Sequence, residues 1–317
     1  MSFRTNPHTL RGSIAPLMTP FTPDGEVDHE SLANAVRWQL ANGTHGLSIG
    51  GSTGEPSAQS IVERLDAIRT VLAASEHKVP VIPGTGSTKL DETIELTGAA
   101  NDVGVDAALV ITPYYARPTQ EALYVWYSTV AGEFPDLPIL AYNVPSRTAV
   151  DIAPETVERL YKDVPNFVGI KETTRDFEHF SRVLQRCGRD LVVWSGIELL
   201  CLPLLALGGA GFLSATANIA PAAHARLFEL WEAGDQAGAL DIHYGLHPLV
   251  DLIFTETNPA AGKWVLERLG VFRSGHVRPP LIPLTEAGQS KAAAYLAKAE
   301  KYLSPVTPEF TIGAHQA

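Results

Sequence analysis

The residues best suited to chemistry in this chain begin with a lysine at the end of a short apolar run, Phe167–Lys171. Such a run, followed by polar residues, predicts a buried β-strand that ends at Lys171. Side chains alternate along a strand, so Phe167, Gly169 and Lys171 share one face. If both faces are covered, burial lowers the lysine pKa and favours nucleophilic attack on a keto group to form a Schiff base. The alternative is a lysine that pairs with Glu172 and reaches solvent, and position alone favours it.

A glycine-rich turn that carries two hydroxyl groups, Gly50–Glu55, follows the second predicted strand. Glycines permit tight backbone, and successive N–H groups near a helix start can bind a carboxylate or phosphate. An ordinary strand-to-helix turn explains the same composition equally well. The spacing matches neither the dinucleotide-binding fingerprint nor the P-loop. Ser52 and Thr53 are therefore candidate substrate-binding residues.

Two tyrosines and an arginine stand after the fourth and fifth predicted strands: Tyr115, Tyr142 and Arg147. Hydroxyl groups beside a Schiff-base lysine can shuttle protons while the carbinolamine forms and loses water. The alternative for each tyrosine is a packing role with a single hydrogen bond. Arg147 has no carboxylate nearby in sequence, so its guanidinium is predicted to clamp a substrate carboxylate. A surface ion pair is the alternative for Arg147.

The elements that must position these residues alternate, strand then helix, roughly eight times. They include a first helix capped by Asp28, a third strand over Val79–Pro83, and helices over Leu90–Val103 and Gln120–Glu133. Strands that alternate with helices pair in parallel, and eight such units close into a (β/α)8 barrel, an α/β fold. A doubly wound open sheet is the runner-up, disfavoured because the sequence shows neither two halves nor a linker. The predicted division is a barrel over residues 11–233, a C-terminal helical extension over 234–303 and a loose tail over 304–317.

In such a barrel the active site lies at the C-terminal ends of the strands, where every candidate above stands. Gly196 and Leu213, near the last two predicted strand ends, are added as substrate-binding candidates, although tight loops would also explain that region. A metal site has weak support. His243, His247 and Asp251 have helical spacing, but a glycine and a proline interrupt that helix, so packing or solvated histidines are favoured and no metal is predicted.

The composition limits the class of protein. The 317 residues are 45% hydrophobic and 19% charged, enough for one large barrel or two ordinary domains with full cores. A net charge of -11 argues against a nucleic-acid or anionic-membrane partner. Two scattered cysteines, Cys187 and Cys201, indicate a reducing compartment. With no signal peptide evident and no apolar run long enough for a bilayer, a cytoplasmic protein is expected.

Four motifs follow one another along the chain: Gly51–Glu55, Thr112–Pro118, Tyr142–Thr148 and Gly169–Glu172. Together they resemble the dihydrodipicolinate synthase / N-acetylneuraminate lyase family of Schiff-base-forming enzymes, over a stretch from about Arg11 to about Leu303. The resemblance implies a (β/α)8 barrel with C-terminal helices, usually a homotetramer built from two tight dimers. It implies no metal or organic cofactor, because the imine formed on lysine is itself the electron sink.

The resemblance also implies roles for the candidate residues. Lys171 would condense with the keto carbon of pyruvate, and Tyr142 would be the central acid and base. Thr53 would link Tyr142 to Tyr115 in a proton relay, and the residue at the Tyr115 position reaches into the neighbouring subunit's site. The turn at Ser52 and Thr53 would hold the pyruvate carboxylate.

Arg147 favours the synthase branch of the family, in which this arginine receives the carboxylate of L-aspartate-4-semialdehyde. The expected reaction condenses that aldehyde with pyruvate to give 4-hydroxy-tetrahydrodipicolinate. Another pyruvate-dependent aldolase, or a sugar-acid aldolase or dehydratase, is kept open by the lyase-like Ser52. The apolar Ile197 and Leu213 disfavour a polyhydroxylated substrate. A catalytically inactive barrel that binds a partner is the third, least favoured alternative.

Three stretches depart from the synthase pattern. Asn258–Lys263 differs from the usual Asn-Pro-Ile-Pro-Val-Lys, and Ile197–Glu198 stands where synthases commonly carry two aspartates. The positions of the lysine-effector site lack the usual histidines and asparagine. Those positions are Pro56, Ser57, Ile61, Arg64 and Thr88. We therefore predict that lysine does not inhibit this protein.

Overall fold

The computed structural model describes residues 5–312, which contain seven strands and thirteen α-helices. The strands are β1 (Gly12–Pro16), β2 (Gly46–Ser48), β3 (Ala108–Ile111), β4 (Ile139–Asn143), β5 (Phe167–Glu172), β6 (Val192–Ser195) and β7 (Gly211–Leu213). The helices are α1 (His29–Ala41), α2 (Ile61–Ser75), α3 (Leu90–Val103), α4 (Gln120–Glu133), α5 (Pro145–Thr148), α6 (Pro154–Asp163), α7 (Phe177–Cys187), α8 (Cys201–Ala206), α9 (Pro221–Glu232), α10 (Gln236–Gly245), α11 (His247–Ile253), α12 (Ala260–Arg268) and α13 (Glu286–Ala299).

These elements fall into two compact units. The first unit comprises the residues up to Gly12 together with Pro80–Leu213, and the second comprises Ser13–Val79 together with the residues from Ser214 onward. Both units are therefore discontinuous in sequence. The predicted boundary between residues 233 and 234 separates a barrel from a helical extension rather than these two units, and it stays a prediction.

The first unit is built on five parallel strands in which each strand pairs with the next along the chain, from β3 to β7. One or two helices connect each pair, as the strand-helix alternation predicts. Strands β4 and β5 are buried at every position, as parallel strands covered on both faces are, which explains their nearly continuous apolar sequence. The register sets Tyr142 beside Lys171 and Lys171 beside Trp194.

The predicted third strand, Val79–Pro83, is wrong as a regular strand. Residues from Val81 run beside β3 through separate backbone hydrogen bonds, such as Leu109 N to Pro83 O at 2.9 Å and Asp106 N to Val81 O at 3.1 Å. Isolated bridges replace a strand here, one of them between Gly84 and Leu109. Pro80 and Pro83 have no N–H to donate, so a continuous ladder cannot form here.

The second unit contains the parallel pair of β1 and β2, and the helices that follow these two strands, α1 and α2, have capped starts. The predicted cap at Asp28 is confirmed, since its Oδ1 accepts the Ser31 N–H at 3.0 Å at the start of α1. At the start of α2, Ser60 and Glu63 form a reciprocal capping box. These caps fix the point where each strand-to-helix loop ends.

Helices α9 to α13 follow within the second unit, and α10 to α13 lie within residues 234–303, where a helical extension is predicted. The expected loose tail is wrong for residues 304–312. Trp38 Nε1 donates to Pro305 O at 2.9 Å, Asn34 Nδ2 donates to Phe310 O at 2.7 Å, and Ile312 N donates to Gly270 O at 2.9 Å. Residues 313–317 and residues 1–4 lie outside the described part. Among the described helices, none has the length and apolar character needed to cross a membrane.

Candidate active site

Lys171 lies at the buried end of β5 with its amine against an aromatic ring. Lys171 is 6% exposed and Tyr142 is 5% exposed. The two residues are register partners on β5 and β4, and Lys171 Nζ lies 4.3 Å from the centroid of the Tyr142 ring. Within residues 5–312 no carboxylate or hydrogen-bond acceptor contacts this amine. The interpretation of Lys171 as a solvent-exposed lysine paired with Glu172 is therefore wrong.

Glu172 lies on the other face of β5 and has partners of its own. Its fully buried carboxylate accepts hydrogen bonds from Asn143 Nδ2 at 3.0 Å and from Thr174 N at 3.0 Å. His179 Nε2, from α7, lies 2.9 Å from Glu172 Oε2. Burial is the largest single effect and disfavours charge on His179. Hydrogen bonding to the Glu172 carboxylate and the charges of Glu172, Asp151 and Asp176 together outweigh it and raise the pKa of His179 above its usual value. Asn143 also donates to Asp151 Oδ1 at 2.7 Å.

Gly196 follows β6 and is packed against the stem of Lys171. A Cβ at this position would lie 2.6 Å from Lys171 Cε and 2.2 Å from Thr173 Cγ2, both closer than real Cβ contacts. The Gly196 N–H donates to Glu172 O at 2.8 Å, which fixes the loop at the strand end. The absent side chain therefore makes room for the lysine. Leu213, at the end of β7, is 1% exposed.

Tyr115 and Arg147 are exposed residues of the first unit. Tyr115 is 95% exposed and has a left-handed backbone, with φ of 72°, in the loop between β3 and α4. A bulky residue rarely adopts this conformation, so the loop holds the phenol outward. Arg147 lies in α5, directly after β4, and no ion pair to it occurs within residues 5–312. The alternative of a surface ion pair for Arg147 thus finds no partner in that part of the chain.

The turn with Ser52 and Thr53 belongs to the second unit. Residues Ser52–Gly54 form a single 3-10 turn, and Thr53 is 6% exposed. Asn258 Nδ2 donates to Thr53 Oγ1 at 3.0 Å. The Gly54 carbonyl accepts the Thr19 hydroxyl at 2.8 Å and Gln59 Nε2 at 2.6 Å. The turn is thus held by side chains from several parts of the second unit.

The structure brings Lys171, Tyr142 and Gly196 together within the first unit, and Ser52 and Thr53 within the second. Contacts of Lys171 with Thr53, Tyr115 or Arg147 stay predictions. The weakly supported metal group is not found, since no cluster of three metal-ligating side chains occurs in the described residues. His243 and His247 instead stack edge to face at 5.0 Å.

Two groups of polar residues near the candidate residues were not predicted as groups. One comprises Glu172, His179, Asn143 and Asp151 behind β5, and the other comprises Asn258, Lys263 and Glu55 beside the glycine turn. A signal for the first was present, because a glutamate inside a strand covered on both faces needs buried partners. The positions of those partners in sequence gave no signal, since His179 lies in a helix and Asn143 on the neighbouring strand.

Comparison with known proteins identifies the family. A model of the dihydrodipicolinate synthetase family matches residues 9–299. A protein of Thermus thermophilus named 4-hydroxy-tetrahydrodipicolinate synthase is 46% identical over 276 residues, 87% of this chain and 92% of the relative. One of Alcanivorax borkumensis with the same name is 42% identical over 282 residues, 89% of this chain and 95% of the relative.

Solved structures agree with the sequence relatives. The crystal structure of dihydrodipicolinate synthase from Thermotoga maritima is similar, with a TM-score of 0.89 and 36% identity over 92% of this chain and 99% of that one. The enzyme from Acinetobacter baumannii, solved in complex with pyruvate, gives a TM-score of 0.88 and 38% identity, again over 92% and 99%. The predicted fold class, a (β/α)8 barrel with a C-terminal helical extension, is confirmed by this likeness. The chain belongs to the dihydrodipicolinate synthetase family.

Proposed function

We propose that this protein condenses pyruvate with L-aspartate-4-semialdehyde to give 4-hydroxy-tetrahydrodipicolinate, through a Schiff base on Lys171. The observation that carries the proposal is the state of that lysine. It is buried on β5, its amine faces the Tyr142 ring at 4.3 Å, and within residues 5–312 it has no counter-ion. Family membership and the shared name of the relatives support the choice of reaction.

The chemistry starts from the Lys171 amine, which forms no ion pair with a carboxylate within residues 5–312. Unprotonated Lys171 attacks the keto carbon of pyruvate to form a carbinolamine, which loses water to give an iminium ion. The iminium withdraws electrons from the pyruvate methyl carbon, which loses a proton and becomes an enamine. The enamine carbon then attacks the aldehyde, and attack by the substrate amine on the iminium releases Lys171 as the ring closes. One water is lost overall.

Tyr142 is the group we assign to proton transfer at these steps. Its ring lies beside Nζ, and a phenol can both donate and accept a proton. We assign Thr53 and Tyr115 to the relay that the family resemblance implies. The 95% exposure of Tyr115 is consistent with a phenol that acts outside its own subunit, so a homotetramer built from dimers is part of the proposal.

Substrate binding is assigned to five residues, Ser52, Thr53, Arg147, Gly196 and Leu213. Arg147 is exposed and has no ion-pair partner in the described part of the chain, so its guanidinium is available for the aldehyde's carboxylate. Gly196 admits the lysine stem, and the apolar Leu213 suits a small substrate. A cytoplasmic location and the absence of lysine inhibition are further parts of the proposal.

Borohydride trapping with pyruvate, followed by peptide mass mapping, tests the proposal. We expect a reduced pyruvyl adduct on Lys171 and none on Lys263, which serves as an internal control because it is also buried. Addition of L-aspartate-4-semialdehyde should then give the cyclic product. An adduct without that product would favour a pyruvate aldolase with another acceptor, and sugar aldehydes would be tried next. No adduct on folded protein would overturn the proposal.

A further inference from the structure

One segment of the second unit, Asn258–Lys263, contacts the Gly51–Glu55 turn at two points. The Asn258 amide Nδ2 donates to Thr53 Oγ1 at 3.0 Å. Five residues later, the Lys263 ammonium pairs with the Glu55 carboxylate. All four side chains are buried, with exposures of 6%, 6%, 0% and 4% for Asn258, Thr53, Lys263 and Glu55. The turn is thus contacted at Thr53, whose hydroxyl is proposed for the relay, and again at Glu55.

The contact at Thr53 has a direction. A hydroxyl group has one proton to donate and two lone pairs that accept. Asn258 Nδ2 occupies a lone pair, and no other hydrogen bond of the Thr53 side chain occurs within the described residues. The Thr53 proton is therefore not consumed by the contact with Asn258. A hydroxyl held in this way is poised to donate its proton to another group.

The contact at Glu55 removes the freedom of the turn to shift. Glu55 has a left-handed backbone with φ of 55°, and its Oε2 accepts the Arg278 N–H at 3.0 Å. Lys263 Nζ also donates to His276 O at 2.9 Å and lies 4.0 Å from the centroid of the Phe21 ring. A buried ion pair with further contacts on both partners restricts the positions that the turn can adopt. Thr53, two residues before Glu55, is therefore held in place as well as oriented.

We propose that Asn258 is a positioning residue for the reaction: by donating to Thr53 Oγ1 it leaves the Thr53 proton free for transfer, while the Lys263–Glu55 pair holds the turn. This inference rests on the proposed function, in which Thr53 takes part in proton transfer. A role limited to stability would depend only on the loss of packing or of a hydrogen bond. The proposed role depends on which partner donates.

Asn258→Asp is the informative substitution because it keeps the shape and reverses the hydrogen bond. An ionised carboxylate can only accept, so the Thr53 hydroxyl must turn and donate to it. We expect kcat for product formation to fall about 100-fold with a smaller change in KM, and iminium formation with pyruvate to slow in parallel. Protonation of the introduced carboxyl restores a donor. The ratio of variant to wild-type kcat should therefore rise as pH falls.

Asn258→Ala separates direction from simple loss of contact. It removes the donor but introduces no competing acceptor, so the Thr53 proton stays free and kcat should fall less than in Asn258→Asp. Asn34→Asp is the matched control. Asn34 is 1% exposed and donates through Nδ2 to Val271 O and Phe310 O, remote in sequence from the turn. We expect that control to lower the melting temperature without the pH-dependent recovery of kcat.

A double-mutant cycle completes the test. In a Thr53→Val background, Asn258→Asp should have no further effect on kcat, because the hydroxyl that it misdirects is absent. Suppose that wild-type protein traps pyruvate on Lys171 and forms product. If Asn258→Asp then has the kcat of wild type, or if Asn258→Ala lowers kcat as much as Asn258→Asp does, the inference about Asn258 is overturned and the proposed function stands. If the wild-type protein forms neither adduct nor product, the proposed function fails and the inference fails with it.

Discussion

Two buried lysines, one in each unit, differ in the partners of their amines. Lys171 is 6% exposed and Lys263 is 0% exposed, and each amine lies near an aromatic ring, at 4.3 Å from Tyr142 and 4.0 Å from Phe21. Lys263 pairs with the Glu55 carboxylate, whereas Lys171 has no acceptor within residues 5–312. Burial and an aromatic neighbour are therefore common to the proposed nucleophile and to Lys263. The counter-ion is not: burial lowers the pKa of Lys263 to about 8, and the Glu55 carboxylate opposes that shift.

The largest expected effect follows replacement of the unpaired lysine. Lys171→Met keeps an apolar stem of similar length but removes the nucleophile, so kcat/KM for product formation should fall on the order of 10⁴-fold or more. Thermal stability should be unchanged or higher, because an amine without a partner leaves an apolar site. Borohydride trapping and thermal unfolding measure both. If this variant formed as much pyruvyl adduct on another lysine as wild type forms on Lys171, the two lysines would not differ in the way proposed.

Replacement of the paired lysine should have the opposite profile. Lys263→Met leaves the Glu55 carboxylate buried without its cation, and breaking such a pair costs about 3–5 kcal/mol of unfolding free energy. Adding Glu55→Gln removes the stranded charge while keeping an acceptor for the Arg278 N–H, so more than half of the loss should be recovered. Urea unfolding gives the free energies, with Lys171→Met as the matched control. Equal losses in the single and double variants would contradict a charge effect.

Much of the fold of the first unit was predictable from the sequence because apolar runs and helical periodicity are local signals. Helices α3 and α4 were predicted with the bounds observed. The third strand was not, because Pro80 and Pro83 weaken a ladder that the apolar pattern alone suggests. The docking of residues 304–312 was missed for a related reason. Backbone carbonyls of Pro305 and Phe310 accept from distant side chains, and no sequence pattern reports such acceptors.

For the site, the sequence supplied the residue types but not their partners. Strand-end position and motif identity pointed to Lys171 and Tyr142, and the register of β4 and β5 brings them side by side. The sequence offered no means of telling that Lys171 lacks a counter-ion, because the neighbouring Glu172 made a pair plausible. That carboxylate faces the other side of the strand, toward His179. Pairing of charges depends on tertiary packing, which spacing along the chain does not encode.

Packing, rather than charge, should hold Lys171 in place, and a glycine pair tests this. Gly196→Ala would place Cβ 2.6 Å from Lys171 Cε, so the amine must shift, and kcat should fall about 100-fold as it would for a displacement of about 1 Å. The control is Gly262→Ala, beside the paired lysine, where Cβ meets the flexible end of Met18 at 2.1 Å. We expect that variant to retain most of its kcat. Similar losses of kcat in both variants would contradict the idea that packing against Gly196 positions Lys171.

The smallest expected effect concerns the charge that does lie near Lys171, on the far face of β5. His179 faces Glu172 and, at longer range, Asp151 and Asp176. His179→Gln keeps a donor for Glu172 but carries no charge. The raised pKa of His179 means that the folded state binds this proton more tightly than the unfolded state, whose pKa is about 6.5. The resulting stabilisation is complete below pH 6.5 and is lost as pH rises through the folded-state pKa.

Wild-type protein should therefore exceed His179→Gln in unfolding free energy by about 1–2 kcal/mol at pH 5.5, with a smaller difference at pH 9. Chemical denaturation at both pH values measures the slope. His45 supplies a control of opposite sign, because burial lowers its pKa against the pull of Glu229. For His45→Gln, the variant should gain relative to wild type as pH falls below 6.5, since the folded wild type resists protonation there. A slope of the same sign for both substitutions would contradict a charged pair of His179 with Glu172.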